Sequence, residues 1–165
     1  MSTQQQSRDA DRVGELTTAL GAARARLARA AEAAGRNVNE IELLPITKFF
    51  PASDILILHR LGCHAFGESR EQEAAAKVAT VRELLPHEAV RWHMVGTIQR
   101  NKARAVAGWA YAAHSVDSVR LVGALDRAAA AALAGGVRTA PLRVYLQISL
   151  DGDAERGGVD VARPD

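Results

Sequence analysis

Cysteine is nearly missing from this sequence: Cys63 stands alone among 165 residues. No internal disulfide can form, and a reducing compartment such as the cytoplasm fits that usage. Aromatic residues are scarce too, at 4%, so a core has to be assembled from Ala, Val, Leu and Ile. Hydrophobic residues still make up 48% of the chain, enough for one core at single-domain length. No stretch of about 18 apolar residues occurs, so nothing in it is suited to span a membrane. The N-terminus has no apolar signal core, and Asp9, Asp11 and Glu15 speak against an acid-poor transit peptide. Blocks of Lys and Arg are absent as well. The formal charge is only +2 although the pI is near 9.0, which disfavours a nucleic-acid partner.

What is there is organised by periodicity. Residues 1–7 are polar, offer nothing to bury and are expected to be disordered. Val13, Leu16, Leu20, Ala23, Leu27, Ala30 and Ala34 then recur every three or four residues, predicting one long helix that Gly35 caps. Arg24, Arg26 and Arg29 on this Ala-rich helix read as a solvated face. The run Ile41 to Thr47 is too short for a helix and predicts a strand ending at Lys48, although Pro45 removes one ladder donor. Ser53 is expected to cap a helix carrying Ile55, Leu56, Leu58 and Leu61. Further strands are predicted at 63–67, 91–96, 111–116 and 142–148. Helices between them are expected at about 70–85, around Lys102 to Ala107, and from Ser118 as N-cap to Leu133.

Strands alternating with helices imply right-handed βαβ units and a parallel sheet. Either an open doubly wound sheet or a (β/α) barrel meets that description. No GxGxxG follows the first strand, so the dinucleotide-binding version of the open sheet has no support. The expected fold is therefore an α/β, TIM-type (β/α) barrel with a long N-terminal helix. A complete barrel takes eight strands and roughly 200 to 250 residues. Five strands are predicted here, so residues 1–165 read as one domain, incomplete at its C-terminal side.

In such a barrel the working face lies at the C-terminal ends of the strands. Thr47 and Lys48, then Gly67, Glu68 and Ser69, then His93 and Gly96 fall there, followed by His114, Ser115, Asp117, Gln147 and Ser149. Lys48 stands out. A primary amine at the end of an apolar strand is expected to be partly desolvated, which lowers its pKa, and a neutral amine attacks aldehydes. A solvated strand-end lysine is the plainer alternative. His64, His93 and His114 lie on successive strands, but their spacing matches no metal-ligand motif, so no metal is expected. His114, Ser115 and Asp117 suggest a hydrolytic triad only by composition, since no GxSxG exists. Gly157-Gly158 reads as a loop hinge rather than a phosphate loop.

Five segments occur in order: Leu44-Pro45-Ile46-Thr47-Lys48, Phe66 to Glu73 (FGESREQE), Trp92 to Lys102 (WHMVGTIQRNK), His114-Ser115-Val116-Asp117-Ser118 and Gln147-Ile148-Ser149. Together they resemble the pyridoxal-phosphate homeostasis proteins, whose barrel is alanine racemase N-terminal-like, over residues from about 8 to the end. The resemblance implies a chain that binds pyridoxal 5′-phosphate (PLP), with Lys48 matching the family's Schiff-base lysine. Ser69, where the family usually has asparagine, and His93 are the further cofactor-binding residues carried over; Thr97 replaces a common histidine. It also implies vitamin B6 and amino-acid homeostasis without established catalysis, with PLP-dependent enzymes as recipients. The family's phosphate-binding groups come from last strands that have no counterpart here, so the chain is expected to be a fragment. A PLP-dependent amino-acid racemase is the competing reading. It needs a second base, and Tyr111 and Tyr145 lie in no recognisable racemase motif. An inert truncated barrel is the third.

Overall fold

The computed structural model describes residues 3–150 and 157–160, with side chains from residue 8 onward. Among the described residues the chain forms five α-helices and a parallel β-structure. Helix α1 spans Thr3–Ala33, α2 Ala52–Arg60, α3 Glu71–Leu84, α4 Ala103–Trp109 and α5 Val119–Ala134. Strands β1 (Ala65–Glu68), β2 (Arg91–Met94), β3 (Ala112–Val116) and β4 (Arg143–Leu146) form one sheet in the order β1-β2-β3-β4, every pair parallel. Strands β5 (Ile148–Ser149) and β6 (Val159–Asp160) pair in parallel beside it. Neighbours in the sheet follow chain order without reversal, so no topological switch point of the doubly wound kind occurs among the described residues.

The core lies between the sheet and the helices. Phe66, Trp92, Met94, Ala113 and Val116 point from the strands into a cluster with Ile55, Leu58, Val78, Val81, Val106, Leu121 and Leu125 from the helices. Trp92 and Phe66 supply the aromatic bulk, with ring centroids 5.8 Å apart. The expected shortage of aromatics is met by small residues: Ala74, Ala103, Ala107, Ala112 and Ala113 are all buried and let helices lie close to the sheet. Ser118 caps α5, its side chain accepting from the Leu121 amide, as the sequence predicts.

Several expectations need correction. The helix begins at Thr3, so the stretch expected to be disordered is helical from that residue; residues 1 and 2 lie outside the described residues. The buried stripe of α1 runs through Leu20 to Ala31, while Val13, Ala30 and Ala34 are exposed. Arg24 is not merely solvated, since it donates to the Leu61 carbonyl at 3.0 Å. Helix α2 starts at Ala52 with Pro51 in the cap position, so Ser53 lies inside the first turn. The first predicted strand shrinks to one parallel bridge, Ile46 with Gly67. Pro45 can accept from the Gly67 amide but has no N–H to return, which stops the ladder there. The strand predicted at 142–148 breaks at Gln147 into β4 and β5. Register slips where Ser115 takes a left-handed φ of 57°, and past that point the Gln147 amide bonds to the Val116 carbonyl. Gly157-Gly158, read as a hinge, leads directly into β6, a strand the periodicity does not announce.

Candidate functional site at the strand ends

Register fixes the height of each candidate residue. Ile46 is aligned with Gly67, and Gly67 with His93. Lys48 and Ser69 each follow this level by two residues, so they stand together at the C-terminal end of the sheet. His93 lies about 7 Å deeper at a rise of about 3.3 Å per residue. Among the described residues no hydrogen bond joins Lys48, Ser69 and His93 directly.

Lys48 occupies a tight turn. The Thr47 carbonyl accepts from the Phe50 amide at 3.1 Å, and Phe49 sits at φ 69°, a region bulky side chains avoid. Phe49 holds its ring out between two cations, with the Arg70 guanidinium 4.8 Å and the Lys48 ammonium 5.7 Å from its centroid. The Lys48 turn and the loop after β1 are therefore neighbours. Lys48 is exposed, which corrects the expectation of a desolvated amine. The chain has three lysines in all, Lys48, Lys77 and Lys102. Lys77 Nζ lies 2.6 Å from Glu68 Oε1 and Lys102 Nζ lies 3.5 Å from Glu71 Oε2. Among the described residues Lys48 alone of the three has no carboxylate partner.

Ser69 is half-buried at the start of the loop joining β1 to α3. The β2–α4 loop crosses it so closely that a Cβ on Gly96 would lie 2.3 Å from the Ser69 carbonyl oxygen, so only glycine fits. Beside this crossing a cleft of about 480 Å³ is lined by Ser69, Arg70, Gln72, Thr97, Gln99 and Lys102 among others.

His93 is buried on the sheet face opposite the helices. Its Nδ1 is 3.0 Å from His114 Nε2, and its own Nε2 is buried with no partner. His114 stacks on Tyr145 at 4.6 Å, and Arg91 and Arg143 lie over Tyr111. Burial pushes both imidazoles below their usual range, His93 further disfavoured as a cation by the neighbouring His114. Two of the three histidines considered for a metal therefore meet, while His64 pairs with His59 instead, at 3.2 Å.

Two other mouth residues go elsewhere. Ser115 donates to the Val95 carbonyl at 3.3 Å, away from any relay with His114. Glu68 turns away from the mouth and is buried under α3, where it accepts from Thr47 Oγ1 at 2.7 Å and from Lys77. Sequence reading missed this pair. Every residue of β1 is buried, so alternation carries no signal about which face Glu68 takes.

No family model matches the chain. Among curated proteins it is 66% identical over 160 residues to the pyridoxal phosphate homeostasis protein of Mycobacterium tuberculosis, covering 93% of this chain and 62% of that protein. It is 45% identical over 129 residues to the protein of that name in Corynebacterium glutamicum, covering 78% and 56%. Among solved structures it superposes on an unknown protein from Bifidobacterium adolescentis with a TM-score of 0.80 and 28% identity, covering 92% of this chain and 62% of that one. PipY of Synechococcus elongatus, solved with PLP bound, matches with a TM-score of 0.65 and 33% identity, covering 82% and 58%. The chain thus spans about three fifths of the length of these curated relatives.

Proposed function

We propose that the chain, which is similar over most of its length to pyridoxal phosphate homeostasis proteins, is part of a member of that family and holds PLP covalently through the Lys48 amine. In this reading it forms part of a (β/α) barrel that carries or buffers the cofactor in vitamin B6 and amino-acid homeostasis, without turning over a substrate. PLP supplies an aldehyde whose carbon bonds to a neutral primary amine with loss of water.

The observation that carries the proposal is the state of the three lysines. Lys77 is nearly enclosed and its nitrogen donates to both Thr47 and Glu68. Lys102 faces Glu71. Lys48 is exposed at the strand end, level with Ser69 and without a carboxylate to hold it. The residues present fit the aldehyde and ring portions of PLP. Ser69 offers a hydroxyl from the same level of the sheet as Lys48. The orphaned Nε2 of His93 is a buried nitrogen in need of a polar partner on the open face of the sheet. Sequential parallel strands with helices along one face support the barrel assignment.

PLP bound in PipY and the names of the curated relatives agree with this reading. The name those relatives carry speaks of homeostasis rather than of a reaction, which favours a carrier over a racemase. The test is a titration of the full chain with PLP, followed by visible absorbance, beside Lys48→Ala. A saturable band in the wild type that the substitution abolishes is expected. A band of equal strength in both proteins would remove the proposal. Sustained racemisation of alanine that depends on Lys48 would move it to the enzyme class.

A further inference from the structure

The turn that presents Lys48 is fastened from beneath by two buried polar residues, Thr47 and Glu68, and the largely enclosed side chain of Lys77. Thr47 precedes Lys48, Glu68 ends β1, and Lys77 lies on α3. Lys77 Nζ donates to the Thr47 carbonyl at 2.7 Å and to Glu68 Oε1 at 2.6 Å, and Thr47 Oγ1 donates to the same Oε1 at 2.7 Å. Glu68 is fully buried, Thr47 is 3% exposed, and the Lys77 side chain is 9% exposed. The Thr47 amide is used as well, bonding to the Gly67 carbonyl at 2.9 Å. Every polar group of Thr47 is thus engaged, its hydroxyl and carbonyl by the Glu68–Lys77 pair and its amide by the neighbouring strand, while the next residue is exposed.

Stability alone is a poor reason for such an arrangement. A buried ion pair returns little more than its desolvation cost, and an apolar replacement of both partners is often neutral. Here Glu68 Oε2 is additionally buried without a partner, an unrecovered cost. What the triad does achieve is geometric. Its carbonyl anchor and the left-handed Phe49 bracket Lys48 on either side, and a bulky residue keeps φ 69° only where its surroundings impose it.

We infer that Thr47, Glu68 and Lys77 are positioning residues for Lys48: a buried clamp that fixes the backbone from which the reactive amine extends, with Lys77 itself withheld from aldehydes. The inference rests on the proposed role of Lys48, and its test separates the two. The 165-residue chain is incubated with PLP, reduced with borohydride and mapped for the pyridoxyl group. The pH midpoint of the visible band and the thermal melt are recorded in parallel.

The informative variant is the double substitution Glu68→Gln with Lys77→Met, which leaves no buried charge unpaired. It is expected to melt as a folded protein yet to lose roughly ten- to a hundredfold in the rate of labelling at Lys48, since small misplacements of a reacting group are that costly. The pH midpoint of the band should move as well, an effect that a purely structural role would not produce. Lys77→Arg, which keeps a cation and its donors, should recover much of the rate. Thr47→Val, close to isosteric, covers the case in which the double variant fails to fold; it should lose rate where Thr47→Ser keeps it. A folded double variant, or a folded Thr47→Val, with wild-type rate and midpoint overturns the clamp while leaving Lys48 in its role. A wild-type chain that takes no label on Lys48 overturns both.

Discussion

The two faces of the parallel sheet are built by the same short strands, yet they are finished differently. Toward the helices, Phe66, Trp92, Met94, Ala113 and Val116 are all buried in one apolar cluster. Toward the opposite side lie His93, His114, Tyr111 and Tyr145, with Arg91 and Arg143 at the rim. One face is filled mainly by apolar side chains; the other carries the His93–His114 pair and a half-exposed tyrosine. The contrast puts most of the packing energy on the first face, and the proposed PLP contact at His93 lies on the second. The clamp under Lys48 is the place where they meet, since it is buried with the core and serves the open side.

Removing one aromatic from each face sharpens the comparison most. Trp92 is 2% exposed and lies in the centre of the cluster. Trp92→Ala should cost about 3–5 kcal/mol through lost transfer energy and a residual cavity, measured by denaturant unfolding. Tyr145 is 49% exposed and its main neighbour is the His114 ring. Tyr145→Ala should cost only about 0.5–1.5 kcal/mol, the range of a ring–ring contact. Equal losses at the two positions would break the division of labour between the faces.

The smallest expected effect is a pH dependence that belongs to the open face alone. Burial lowers the pKa of both His93 and His114 in the folded chain, so the folded state binds fewer protons than the unfolded one. Stability should therefore be level above the unfolded histidine value of about 6.5 and fall as the pH drops below it. Replacing His93 with Asn should flatten that slope in a urea series between neutral and mildly acidic pH. An unchanged slope would detach the imidazole pair from it.

How much of this could be read from the residues varies with the physics behind each feature. The βα alternation was legible because each helix carries its own apolar period, and Ser118 was legible as a cap because capping is local. The strand-end position of Lys48 followed from the breaker Pro51 and the apolar run before it. The contact of His93 with His114 depends on register, which pairs His93 with Ala112 and so brings the residue two further along into reach. The break at Gln147 depends on the left-handed Ser115 in a neighbouring strand. The Lys77–Thr47 contact joins residues 30 apart in the chain, on a face that an all-buried strand does not reveal. Local chemistry was readable; cross-strand registration was not.

The account turns on which amine meets the aldehyde. With only three lysines in the chain, borohydride trapping after incubation with PLP, followed by peptide mapping, reads the answer directly. The pyridoxyl group should be found on Lys48, with Lys77 and Lys102 essentially unlabelled because carboxylates hold them. Label on Lys77 or Lys102 equal to or greater than that on Lys48 would contradict the account.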